Sequence, residues 1–566
     1  MSVELALAVV GTAELCLQYG KKLVQFYKTV KGAHKDLEGK ILQMESLWYK
    51  TNTQLRIMNR ISSALGEDQA RVQDDLLERL AQSLSTALRK IESTFGKPNA
   101  TASPSASNTS TGTQPSPEPP KFNPLKYAFI KDSLDKTLRE LEQWHRCYDP
   151  TWFLITLISN NLIDQELSTM RQQQQQQQST GSVDSKPVSA VSSLRTILHG
   201  GGQPRADLHI TLDGAQFDMS KSRRINFTNI RTFTRSASST KGFIVDTIQC
   251  TQYTDILAAR SDAESLARTL KTVDPETFGL LRCQGLVKAR DEKTNQLQAI
   301  HLLFRAPSGS PKSLREELLS STKPPSLTRR LDMAKSIANS VSFIHVCNLV
   351  HKNLRPESIL SFLPENNTNN NSPPSPIPVF LLGFDGFRTV HYQTLQLGDA
   401  AFERNLYRHP TRQGPKAQEK HTMQHDIYSL GVCLLELGLW RSFITYSDDN
   451  LSQLPQTTTD TQNPASPQPQ PTPSSALGLD MANLDTVNWP EQTRFAIKKH
   501  LVRMARDELP ACMGERYTAA TVACLTCLDS DSVDFAVGSS VRDEDGVVIG
   551  TCFIEKVILR LGQISM

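Results

Sequence analysis

No run of ~20 consecutive apolar residues occurs in this chain, so no segment has the length and composition of a standing transmembrane helix. A secretory leader is also missing from its start. Its ten cysteines are scattered without the close spacing of a disulfide framework. Both absences point to the reducing cytoplasm. Charge of one sign is scarce: 62 Lys and Arg against 58 Asp and Glu leave a formal +4, which argues against a nucleic-acid partner. Cys524 and Cys527 form a C-x-x-C, but no His and no second C-x-x-C lies near them. They read as core cysteines, and no metal site is expected.

At 566 residues the chain is long enough for two or three domains. Four polar segments interrupt it. The stretch 97–122 is rich in Ser, Thr, Pro and Asn. An uninterrupted glutamine run, Gln172 to Gln178, opens a linker over 169–222. The inserts at 364–378 and 448–480 are rich in Asn, Pro, Thr and Gln. Such compositions bury too little apolar surface to offset ordering entropy, so all four are expected to be disordered.

Residues 1–168 read as an all-α helical bundle. Leu37, Ile41, Met44, Trp48, Leu55 and Met58 lie near one stripe. Leu77, Leu80, Leu84, Leu88, Ile91 and Phe95 step by three and four, as do Ile130, Leu134, Leu138, Leu141, Trp144 and Tyr148. Asp149-Pro150 then predicts a break, with Asp149 capping a new helix over 150–158. The first helix differs: Val3 to Leu17 is apolar round most of its circumference and is followed by Lys21, Lys22 and Lys28. Two readings stand for it. Either it lies centrally in the bundle, or Val3, Leu5, Leu7, Val9, Val10 and Leu17 form a segment that is buried at rest and released to a membrane surface or to another copy.

The second half carries the most informative stretch, His351-Lys352-Asn353-Leu354-Arg355-Pro356-Glu357-Ser358-Ile359-Leu360. A helix pattern over 327–347 precedes it, with Leu331, Ala334, Ile337, Ala338, Val341 and Ile344 on one face. Val379 to Leu382 reads as a buried strand ending in Gly383-Phe384-Asp385. Asp426-Ile427-Tyr428-Ser429-Leu430-Gly431 opens an apolar helix through Leu437. Val547 to Phe553 reads as a strand, and Ile554 to Leu561 as a helix after it.

This order resembles the protein kinases, whose catalytic loop reads H-R-D-L-x-x-x-N and whose metal-binding motif reads D-F-G. The resemblance covers roughly residues 225–566. It implies a small lobe over about 223–310 and a large lobe over about 311–566. At the matched positions Asn353 replaces the catalytic Asp, Ser358 the magnesium-binding Asn, and Gly383 the metal-binding Asp; His351 and Phe384 keep packing positions. A neutral Asn side chain cannot take a proton from a substrate hydroxyl. No G-x-G-x-x-G lies between Arg224 and Gly242. The strand Phe243 to Gln249 contains no Lys, which leaves Glu264 without the partner such a Lys would supply. Tyr407-Arg408-His409-Pro410 stands at the A-P-E position without its Glu. Asp426 matches the residue that braces the catalytic loop, a structural role.

The N-terminal block, through Val3 to Tyr27, Leu125 to Trp144 and the Tyr148-Asp149-Pro150 break, resembles fungal HeLo domains of the prion-inhibition and propagation type. Its junction with the altered kinase is similar in architecture to the mixed-lineage kinase domain-like proteins of animals. These resemblances imply a multidomain protein, an all-α bundle followed by an α+β pseudokinase domain. They imply a non-catalytic switch for a bundle that acts in incompatibility or cell-death signalling. A C-terminal prion-forming motif is lacking. No cofactor is expected, and nucleotide binding would be weak at best. Partners are expected to be proteins docking on the kinase-like lobe. Control would lie in the segment with Thr389, Tyr392 and Thr394, through phosphorylation. Two alternatives remain open. One is an atypical active Ser/Thr kinase in which Asp385, aided by Asp332 or Asp246, holds the metal. The other is an oligomeric scaffold with no membrane activity.

Overall fold

The computed structural model describes residues 3–30, 35–95, 124–177, 191, 195, 210–214, 217–234, 242–250, 255–271, 273–291, 293–320, 323–363, 377–384, 388–389, 397–399, 401–446, 471–479, 490–535 and 546–564. The chain divides into two compact units, Met1–Thr196 and Ile197–Met566.

The first unit is helical. Helices α1 (Val3–Thr29), α2 (Lys35–Ile61), α3 (Glu67–Phe95), α4 (Pro124–Leu154) and α5 (Asn161–Gln177) pack as a bundle, with α1 against α2 and α3, and α4 against α2 and α3. The stripes on α2 and α4 are buried as the spacing predicts, and so is that on α3 from Leu77 to Ile91. Gly20 lets α1 approach α2 closely: a Cβ there would sit 1.9 Å from the Trp48 ring.

Three features differ from expectation. Helix α4 does not break at Pro150. The Asp149 carboxylate is drawn sideways rather than capping, accepting from Lys50 Nζ at 2.5 Å and Gln54 Nε2 at 3.0 Å. The glutamine run is helical through Gln177, continuing the frame of α5 with a residue of good helix propensity. The expected linker also takes part in the bundle unit. Arg195 is buried and holds Asp164 with two hydrogen bonds, at 2.7 and 2.8 Å. It also donates to the carbonyls of Ile155 and Ile158, tying down the end of α4. Residues 97–122 lie outside the described residues.

The second unit is α+β with antiparallel sheets. Strands β1 (Arg223–Arg224), β2 (Arg231–Thr234), β3 (Gly242–Gln249), β4 (Cys283–Arg290) and β5 (Leu297–Arg305) form a five-stranded sheet in the order β1-β2-β3-β5-β4. Helix α6 (Ile256–Lys271) packs on β4 and β5. The alternation of β3 sends Val245 toward Phe217, Phe233, Val287 and Leu303 on one face, and Asp246 toward the other. Beyond it come β6 (Ser310–Ser313), α7 (Leu314–Ser320), α8 (Leu327–Val346), β7 (Leu349–Val350), β8 (Ile359–Leu363), β9 (Val379–Leu381) and β10 (Arg388–Thr389). Then follow β11 (Leu397–Asp399), β12 (Gly414–Lys416), α9 (Met423–Leu439), β13 (Ile444–Tyr446), β14 (Pro471–Pro473), α10 (Glu491–Met513), α11 (Glu515–Leu525) and α12 (Val547–Phe553). Ser326 caps α8, and every residue of its predicted apolar face is buried.

The expected strand at 547–553 is helix α12. Its β-branched residues favour a strand, but Gly550, Thr551 and Phe553 are buried, and the helical backbone runs on into a π-helical turn over Ile554–Ile558 where Ile554, Val557 and Ile558 are buried too. Part of the insert at 448–480 is ordered too. β14 pairs with β13, and Leu477 is fully buried. Residues 364–376 and 447–470 lie outside the described residues.

Candidate functional site

The degenerate loop runs from β7 to β8 and is braced from below by α9. Asp426, fully buried, accepts from the His351 amide at 2.7 Å and the Lys352 amide at 2.9 Å. His421 Nε2 donates to the same carboxylate at 2.9 Å and His345 Nε2 at 3.3 Å. Burial alone would raise its pKa. His421 and His345 outweigh that and hold it well below the usual carboxylate range. Asp426 thus ties the backbone of residues 351–352 to His421 and His345 through four hydrogen bonds.

His351 turns its ring to the next strand, donating from Nε2 to the Leu382 carbonyl at 2.9 Å. Its ring lies 5.1 Å from that of Phe384, which also stacks near Phe304 at 6.2 Å. Asn353 donates from Nδ2 to the Gly383 carbonyl at 3.2 Å. Ser358 closes a local turn, accepting from the Arg355 amide at 3.2 Å and donating to the Arg355 carbonyl at 2.8 Å. The structure thus gathers His351, Asn353, Ser358, Gly383 and Phe384 at one place. His351 Nε2, Asn353 Nδ2 and Ser358 Oγ each donate to a backbone carbonyl.

Asp246 closes the site from the sheet. One carboxylate oxygen accepts from the Gly383 and Phe384 amides, each at 2.8 Å. Asp246 is 2% exposed. Gly383 has φ +83°, and a Cβ there would lie 2.8 Å from the Ser358 Cβ, so this arrangement has no room for a side chain at that position. The space that the described residues leave among Asn229, Ile230, Asp246, Asn353, Ser358 and Gly383 is about 10 Å³. That volume holds about one water and falls far short of the roughly 300 Å³ at which small-molecule sites begin. The β1–β2 turn lies over this edge. Phe227 packs on Tyr446 at 4.7 Å, and the Asn226 carbonyl accepts from Ser313 Oγ at 2.9 Å.

Glu264 is not without a lysine. Lys288, on β4, donates to it at 2.9 Å, and Arg260 does so at 3.0 Å. Burial pushes the Glu264 carboxyl up, but these partners prevail and hold its pKa below the ordinary value. The sequence reading sought the lysine on β3; the pair is made two strands away, from β4, with β5 between them.

The second feature missed in sequence is Arg315, fully buried at the start of α7. It donates to Glu357 at 3.0 Å, to Glu436 at 2.8 Å, to Ser442 at 2.6 Å and to the Tyr407 hydroxyl. Tyr407 in turn donates to Glu436 at 2.7 Å. Burial opposes the guanidinium's charge, but Glu357 and Glu436 hold it firmly protonated. Burial raises the Glu436 carboxyl, while Glu357, despite burial, is held below its usual value by Arg315. No spacing signal in the chain marks this residue.

Asp385, Tyr392 and Thr394 lie outside the described residues. Thr389 belongs to β10, opposite Leu349 of β7. Asp332 lies on α8, half-buried. On α1, Val9 is buried, Leu5, Val10 and Leu17 are half-buried, and Leu7 is 63% exposed. Of Val3 only the backbone is described. No described helix is long and apolar enough to cross a membrane. Cys524 and Cys527 are buried, and burial pushes both thiols up. Among the described residues no group of His, Cys, Asp or Glu is arranged to hold a metal ion. No protein-family model matches the chain, and no curated protein matches it significantly.

Proposed function

We propose that this chain is a non-catalytic signalling protein, in which a pseudokinase-like unit regulates a helical-bundle effector of the HeLo kind. The observation that carries the reading is the clasp of Asp246 on the Gly383 and Phe384 amides. On the kinase resemblance this carboxylate would stand where phosphoryl transfer needs metal and phosphate; in this arrangement no side chain fits at residue 383. The shape of the loop is held by Asp426, while the groups that would perform transfer are replaced. The bundle would act at a membrane surface or in self-association through α1. Supporting this are Leu7 and Leu15, exposed at 63% and 45%, and Leu42 on the neighbouring α2, exposed at 59%. Such a protein would work in the cytoplasm and at membranes on activation, in cell-death signalling.

Dye release from vesicles of phosphatidylcholine with phosphatidylserine tests the effector half. The fragment 1–196 should release dye and the full chain should release little. Folded fragment that releases none overturns this half of the proposal.

An active kinase with rearranged ligands is the second reading, and the Lys288–Glu264 pair favours it. Against it, Asp246 is already committed to backbone amides. Phosphotransfer abolished by Lys288→Met or Asp385→Ala would establish it in place of the first.

A further inference from the structure

Between Asp218 and Asp246 the chain carries six cations, Lys221, Arg223, Arg224, Arg231, Arg235 and Lys241, and no carboxylate. The fold gathers three of them at one edge of the five-stranded sheet. Strand β1 holds Arg223 and Arg224, and Arg224 stands directly opposite Arg231 of β2. Like charges placed so repel and cost stability. The repulsion is felt locally. Burial and the Arg231 charge push the Arg224 guanidinium below its ordinary value, and they push His301, on the same face, down as well. Lys221 is paired with Asp218, but none of the three arginines has a carboxylate partner among the described residues. The groups that Arg224 and Arg231 do hold are neutral. Arg224 donates to the Thr228 carbonyl and to Asn229 Oδ1 at 2.7 Å. Arg231 donates to the Ser222 hydroxyl at 2.5 Å and to its carbonyl at 2.9 Å. The Arg223 side chain makes no hydrogen bond or ion pair among the described residues. Arg223 and Arg224 are exposed, and Arg231 is half-buried.

The same strand is an open edge. No described strand pairs with the outer side of β1, whereas at the opposite edge Thr211 bridges Leu286 of β4. Its outer backbone therefore offers N–H and C=O groups to an extended chain. Successive residues of a strand point to opposite faces, so Arg223 lies on one face and Arg224 with Arg231 on the other. A peptide laid along β1 alternates likewise and meets arginine on both faces.

We infer that β1 docks an extended acidic segment of a partner protein. The guanidinium fork matches a carboxylate with two N–H donors, and backbone pairing along the edge supplies the rest. Charges on an edge guard a sheet against chance pairing; an acidic strand turns this guard into attraction, which makes the edge selective. A lipid surface fits less well, since none of the exposed large apolar residues lies on β1, β2 or β3. A nucleic acid lacks a free ring to stack on, because Phe227 packs on Tyr446. The docking edge does not depend on the functional reading above.

The test is calorimetric titration of the full chain at low ionic strength with a short peptide carrying a run of consecutive Glu, and with the same peptide carrying Gln. The Glu peptide should bind and the Gln peptide should not. At about 0.15 M salt, where charges are screened beyond ~8 Å, affinity should fall severalfold. An exposed Arg–carboxylate pair is worth up to a factor of about five, so Arg223→Gln/Arg224→Gln should weaken the Glu peptide roughly tenfold. Arg223→Gln alone, which breaks no hydrogen bond or ion pair among the described residues, should weaken it about threefold. Bound peptide should also slow amide exchange at residues 223–224, as an added strand requires. No binding at millimolar peptide overturns the inference, and so does binding that both folded variants leave unchanged. Binding of phosphatidylserine vesicles or a single-stranded oligonucleotide in place of the peptide overturns it too. So does self-association of the chain that the double variant abolishes, since the occupant is then a second copy.

Discussion

Replacing Asp246 by Ala removes the single carboxylate oxygen to which both the Gly383 and Phe384 amides donate. A hydrogen bond to a charged group is worth about 1.5–3 kcal/mol, so the gross loss is roughly 3–6 kcal/mol. Removing the carboxylate also relieves the penalty for burying it, which is several kcal/mol for a charge in a protein interior. The two oppose each other, and a net local destabilisation of about 2–3 kcal/mol remains after the offset. Amide hydrogen exchange reads that loss where it occurs. At about 1.4 kcal/mol per tenfold, exchange of the peptide holding Gly383 and Phe384 should quicken by roughly 30- to 150-fold. The segment at Asp426 should keep its protection, because its own four hydrogen bonds are untouched. Asp246→Asn keeps one acceptor oxygen and should fall between the two. Unchanged exchange at Gly383 in the Ala variant would refute the claim that Asp246 holds this segment.

Other perturbations follow from the same geometry. Arg315→Met strands Glu357 and Glu436 in the interior and should destabilise the second unit by about 3–5 kcal/mol in urea unfolding; a loss under 1 kcal/mol would contradict the network. Gly20→Ala should lower the stability of the bundle by about 1–2 kcal/mol despite a gain of ~1 in helix propensity, because the new methyl meets the Trp48 ring; Gly11→Ala, facing open space, should instead stabilise it. His409 and His425 are held neutral, burial pushing them to about 3 and about 2, with Lys498 and the neighbouring histidines and Arg412 adding to the shift. The unfolded chain takes up their protons below pH 6.5 while the folded one does not, so stability falls as pH drops from 6.5 toward 3. At pH 5 each removes about 2 kcal/mol. A His409→Gln/His425→Gln variant losing as much stability between pH 7 and pH 5 as the native chain would show that these residues are not the cause.

The bundle was readable because its helices repeat apolar residues at three and four over several turns, as at Leu37 to Met58 and Ile130 to Tyr148. Helix α8 was readable for the same reason. Asp149-Pro150 misled because a Pro and a capping residue outrank nothing when Lys50 and Gln54 wait across the core. Val547 to Phe553 misled because β-branched propensity is weak beside a buried helical face. Asp426 could be matched within a motif. Arg315, Lys288 and the clasp of Asp246 could not, since each acts on a partner 24 to 137 residues away and only the fold brings them together. Arg195 falls in the same class, a lone arginine in a polar stretch with nothing beside it to reveal its hold on Asp164.

The central claim is that the site beneath the sheet is closed and takes no nucleotide. Thermal unfolding of the full chain with and without about 5 mM magnesium ATP tests it most directly. A ligand present at 100 times its dissociation constant stabilises by about 2.7 kcal/mol, which moves the melting temperature by several degrees. The account predicts no shift of the second unit's transition in the native chain. A shift of several degrees, lost in Lys288→Met, would contradict it and turn the clasp into one state of a working site.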